Sequence, residues 1–218
     1  MIDMHRVVVF FHILLFVYWL GADLGVLLNG VIGNRGRISD SGRAALREAA
    51  DWVDMGPRTC MVLMVAVGLT LARAWGFPLS AGELAGVWIL DLVWLGLVWG
   101  LFLRRGTPLA KKLFWADLAL RVIVTVVFLG LGISSFLLGS PVELGWLAAK
   151  LVLFGTLVLL GVIIRILILS GALAPPKAGK AADGSYIPRP FWDPLRITVL
   201  TIWALVAVMA FLGTVKPF

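Results

Sequence analysis

Six stretches of this chain are apolar over about the length a helix needs to cross a bilayer, and this limits the fold more than any other feature. A membrane-spanning helix takes ~20 apolar residues at 1.5 Å of rise each. In hydrocarbon the backbone must satisfy its own hydrogen bonds, so such runs become helices. The pattern predicts spans over about His5–Val31, Thr59–Trp75, Leu84–Leu103, Lys112–Leu138, Val142–Leu169 and Leu195–Thr214. Gly76-Phe77-Pro78, Gly106-Thr107-Pro108, Gly139-Ser140-Pro141 and Pro175-Pro176 punctuate them, as helix-breaking residues do. The expected fold is an all-α polytopic bundle, with residues 1–218 forming one integral membrane domain. The first apolar run, Val7 to Ile32, exceeds a signal-peptide core and reads as a retained span.

Two connections have a character of their own. Ser39 to Asp54 is patterned as a short amphipathic helix, with Arg43, Arg47 and Asp51 on one face and Leu46, Ala49, Ala50 and Val53 on another. It is expected at the membrane surface. Ala174 to Pro190 is rich in Pro, Gly, Ala and Lys and reads as a flexible loop.

The chain is 61% hydrophobic and 14% charged, whereas a soluble domain is about half apolar and a quarter charged. Net charge is +7. In a soluble protein that would point to nucleic acid. Here the bases sit in short loops, where they orient the chain and meet anionic lipid, so the lipid bilayer is the expected partner and nucleic acid is not. Arg35, Arg37, Arg43, Arg47 and Arg58 crowd the first loop, Arg104, Arg105 and Lys111 the third, and Lys177, Lys180 and Arg189 the fifth. The turns of the second and fourth have none. This predicts cytoplasmic odd loops and both termini on the outer side, in a bacterium the periplasmic face of the inner membrane. The single cysteine, Cys60, excludes an internal disulfide and a cysteine-cluster metal site.

Against this background the ionisable residues inside the spans stand out, because they are costly in hydrocarbon and mark function by default. His12 is one of only two histidines and lies among Phe11, Ile13, Leu14, Leu15 and Phe16. It comes seven residues after His5, as Lys150 comes seven after Glu143. Both helices enter from the same side, so both groups are expected ~10 Å deep, and Asp91 falls at a similar level. Asp23, Asp117 and Arg121 form a second, deeper layer. Asp117 and Arg121 are four apart on one helix face, so this layer reads either as a charge-compensated structural network or as a proton path. Arg73 and Arg165, near helix ends, read as snorkelling.

The cofactor inventory is short. There is no HExxH, no phosphate-binding loop and no cysteine pair. Two histidines and one cysteine hardly make a zinc site. Haem needs only one or two axial ligands and apolar walls, and that requirement fits this inventory best. Gly21, Ala22 and Gly25 permit close helix approach or leave room for a flat ring. The plainer alternative is a core histidine bonded to a neighbouring helix.

Phe11-His12-Ile13-Leu14-Leu15-Phe16-Val17-Tyr18-Trp19 resembles the opening helix of HemJ/CopD-like membrane proteins, with a His and Trp19 ahead of small residues. Trp146-Leu147-Ala148-Ala149-Lys150-Leu151-Val152-Leu153 is similar to the family's lysine-bearing helix. The resemblance implies haem b, and therefore iron, bound by His12 and Lys150 in a protoporphyrinogen-oxidase-like oxidoreductase. Its substrate would be a small hydrophobic porphyrinogen or quinol. Asp23, Asp91, Asp117, Arg121 and Trp19 would surround the site, carry protons or hold propionates. No catalytic residue is singled out, and self-association into a homo-oligomer is compatible with the composition. The first loop echoes the HemJ arginine segment only loosely, through Arg43, Arg47 and Pro57-Arg58. The alternative is a copper-handling or proton-coupled transporter without haem. Met1, Met4 and His5 form an outer-side set for it, and Met61 and Met64 lie in the second span.

Overall fold

The structure is a computed structural model that describes residues 3–33, 35, 38–169, 179–180, 186–187 and 194–217. Seven helices follow one another: α1 (Met4–Gly33), α2 (Asp40–Val53), α3 (Met55–Ala74), α4 (Ala81–Leu103), α5 (Pro108–Leu138), α6 (Gly145–Leu169) and α7 (Pro194–Val215). All but α2 carry apolar stretches long enough to cross a membrane, α3 as the continuation of α2. The chain is a multi-pass all-α membrane protein, and the six expected spans agree in number and order with those of the structure. Within the predicted loop Ala174–Pro190, two-residue strands β1 (Gly179–Lys180) and β2 (Tyr186–Ile187) pair antiparallel. The rest of that prediction lies outside the described residues.

Local signals fix the helix ends. Ser80 and Glu83 form a reciprocal capping box that starts α4. Thr107 caps α5, with Pro108 in its first turn. Gly139 ends α5 with a left-handed backbone, φ 65°, a conformation that favours glycine.

Packing is sequential and closes on itself. α1 lies against α3, α3 against α4, α4 against α5, α5 against α6, α6 against α7, and α7 returns to α1. The α5–α6 contact is the most extensive. A Cβ at Gly132 would stand 2.6 Å from Val152 Cγ2, and one at Gly155 would stand 2.9 Å from Leu129 Cγ. Only glycine lets these backbones approach so closely. The outer faces are apolar, as lipid contact requires: Ile89, Leu137 and Leu138 are all exposed.

The amphipathic segment forms as a helix, and its contacts run along α1. Leu46 packs beside Gly33, and Val53 Cγ1 stands 3.1 Å from where a Gly25 Cβ would be. Arg43, expected on a polar face, is buried. Its guanidinium donates to the carbonyls of Gly33 (2.7 Å) and Arg35 (3.1 Å). A helix C-terminus presents unpaired carbonyls and negative partial charge, so an arginine there ties α2 to the end of α1. Asp51 accepts from Arg105 at 2.6 Å, which places the first and third connections at one end of the bundle.

Candidate functional site

At the other end, α1, α3, α5, α6 and α7 enclose a cavity of about 510 Å³. Two of the three groups expected in the outer layer line it, His12 from α1 and Lys150 from α6. Trp19, buried near the deep end, lines it as well. Phe16, Met64, Phe128, Leu147 and Phe154 supply apolar wall. His5, Trp75 and Lys216 lie at the exposed end, on the first turn of α1, after α3 and after α7. His5 and Trp19 are separated by ~20 Å of helix, so the cavity is a deep slot with a wet mouth and an apolar floor.

The ligand-bearing groups have room and few partners. His12 Nδ1 is buried and has no hydrogen-bond partner. A Cβ at Gly68 would sit 3.8 Å from His12 Cε1, and one at Gly213 would sit 2.8 Å from Lys150 Nζ. Thus Gly213 makes the space that the lysine amine occupies. The small residues flagged in the sequence act elsewhere. Gly25 faces Val53, Ala22 faces Gly56, and a Cβ at Gly21 would meet nothing. Gly25 and Ala22 serve the packing of α1 on α2 and α3, where small residues let helices approach closely, and Gly21 faces open space.

The other charged residues singled out in the sequence do not line the cavity. Asp117 is fully buried and accepts from Trp94 Nε1 (2.8 Å) and Arg121 Nε (3.1 Å). Arg165 Nη1 lies 2.5 Å from the same carboxylate. Arg121 also reaches Met61 Sδ at 3.4 Å, which takes Met61 away from the cavity. Arg165 therefore turns inward to the network; its position near a helix end had suggested snorkelling. Asp23 is half-buried near Asp54 and Arg58, themselves ion-paired, and near Trp203. Asp91 is buried on α4 with both oxygens unpartnered. Its helix packs on α3 and α5 and supplies no residue to the cavity wall.

The sequence reading passed over several lining residues. Gly68, Met209, Gly213 and Lys216 all line the cavity. Lys216 Nζ stands 3.6 Å from the Trp75 ring centroid and 5.6 Å from that of Trp146, a cation–π arrangement. Met4 is exposed, and Met1 lies outside the described residues. Among the described residues no three or more His, Cys, Asp or Glu side chains gather to hold a metal ion. Any metal here would depend on few protein ligands or on a macrocycle.

No protein-family model, curated protein or solved structure matches this chain.

Proposed function

We propose that the cavity holds haem b between His12 and Lys150 and that the protein is a membrane oxidoreductase acting on a small hydrophobic reductant of the porphyrinogen or quinol class. The observation that carries this reading is the opening of both side chains, from α1 and α6, into one apolar slot. The residues fit the group. A buried ring nitrogen of His12 has no protein partner, and no carboxylate among the described residues pairs with Lys150. The volume, about 510 Å³, falls within the ~300–1,000 Å³ of cofactor and small-molecule sites. When bound, haem supplies one-electron chemistry whose potential depends on axial ligands and surroundings. The chain contributes the imidazole, the amine and a water-poor wall. Placement in a bacterial inner membrane, termini outward, follows from the loop cations and belongs to the same proposal.

One observation favours the copper reading. Met64 and Met209 line the cavity beside His5 and His12, and thioether with imidazole suits Cu(I). The cavity is far larger than a bare ion requires, which favours a macrocycle. The test is an absorption spectrum of the detergent-purified chain, oxidised and dithionite-reduced, with its iron and copper content. The haem reading expects a Soret band, b-type reduced bands and iron. A colourless protein that retains copper would replace it with the copper reading.

A further inference from the structure

The ionisable groups on the cavity wall are all bases. His5, His12, Lys150 and Lys216 line it, and among the described residues no aspartate or glutamate does. Among the described residues no carboxylate pairs with either lysine. The contrast with the bundle's other half is sharp, because there Arg58, Arg105, Arg121 and Arg165 all have acidic partners. Unpaired bases around an apolar slot suit a ligand that brings its own negative charge and an apolar body. The arrangement along the slot has a direction as well. Exposed His5 and Lys216 are at the mouth, while buried Phe128 and Phe154 are further in. Lys216 is held at that mouth over the faces of Trp75 and Trp146, so its ammonium is positioned before any ligand arrives.

We infer that the cavity takes an amphipathic carboxylic acid, its carboxylate bound at the mouth by Lys216 and His5 and its apolar body lying inward past His12 and Lys150. One ammonium beside an imidazole matches a carboxylate. A phosphate monoester carries more charge and favours the bidentate fork of arginine, and among the described residues no arginine lines the cavity. This inference rests on the same reading of the cavity as a ligand site; haem b, with its propionates, is one such acid, but iron is not required.

The test titrates the full chain in neutral detergent with four probes, read by quenching of tryptophan fluorescence: haemin, haemin dimethyl ester, palmitate and methyl palmitate. Esterification removes the charge and leaves the apolar body. A charge-assisted hydrogen bond lost on esterification weakens binding about tenfold or more. Each acid is therefore expected to bind at least about tenfold more tightly than its ester. Lys216→Gln should abolish that preference and leave ester affinities unchanged, and Lys216→Arg should restore most of it. Equal affinity for acid and ester in the wild type, or equal weakening of both by Lys216→Gln, would overturn the inference. The two readings separate cleanly. Palmitate binding that depends on Lys216, with no haemin binding, sustains the acid site and ends the haem reading. Haemin and its ester binding equally, both lost in His12→Ala, would do the reverse. No binding of any probe ends both.

Discussion

The Asp117 cluster and the cavity handle buried polarity in opposite ways. Between α4, α5 and α6, Asp117 accepts from Trp94 and Arg121 and lies against Arg165, one carboxylate between two guanidiniums. At the α1–α6–α7 side, His12 and Lys150 face a shared space with no acid to meet them. Polar groups in hydrocarbon are expensive unless satisfied. The Asp117 carboxylate is thus explained by the donors and cations of its own chain, whereas His12 and Lys150 face open space that something from outside the chain can fill. That difference sets the Asp117 cluster apart from the proposed ligand site.

Substitutions can break the contrast, and the largest effect is expected at the cavity. His12→Ala should abolish the haem spectrum of purified protein and leave the midpoint of thermal unfolding in excess detergent, measured on ligand-free samples, nearly unchanged. A bound, unshifted chromophore would mean that the imidazole holds nothing. Asp117→Asn should do the opposite. Removing one partner of a buried ion pair costs about 3–5 kcal/mol, here by stranding Arg121 and Arg165. Unfolding midpoints should fall steeply, while protein that remains folded should keep its ligand spectrum. Loss of the spectrum from folded protein would join the two halves into one site.

Smaller changes sharpen the boundary. Gly213→Ala places a methyl 2.8 Å from Lys150 Nζ, so the amine must shift. A bound haem should show a moved Soret band with fold stability lowered by about 1 kcal/mol or less, since the long lysine can give way. An unmoved band would show that the amine does not touch the ligand. The smallest effect is expected for Arg105→Ala. Its pair with Asp51 is half-exposed on both sides, and such pairs are worth about 0–1 kcal/mol. A double-mutant cycle with Asp51→Ala that gave several kcal/mol would make the α2 docking a structural keystone.

The spans and the meeting of His12 and Lys150 at one cavity were legible because the information is one-dimensional. Apolar length gives the helices, and counting from a common face gives depth, which brought His12 and Lys150 to one level. What could not be read is direction around a helix axis. Asp91 is expected at the same level, yet α4 contributes nothing to the cavity wall. Arg165 sits near a helix end as a snorkelling residue would, yet Asp117 draws it inward across a helix contact that no local pattern announces. Lys216 and His5 flank the apolar runs and read as ordinary interfacial residues until α1 and α7 meet and put them at one mouth. Gly21 and Gly25 invited a cofactor role because a small residue reads the same whether it admits a ring or a helix. Only the helix opposite decides, and opposite Gly25 it is Val53.

The most direct measurement is the absorption spectrum of the ferric protein, wild type beside Lys150→Leu, both purified as the full chain in detergent. Two axial ligands predict a low-spin, six-coordinate haem in the wild type and a high-spin, five-coordinate one in the variant, since leucine offers iron no lone pair. An identical spectrum in the two proteins, or no chromophore in either, would contradict the claim that amine and imidazole meet across this cavity.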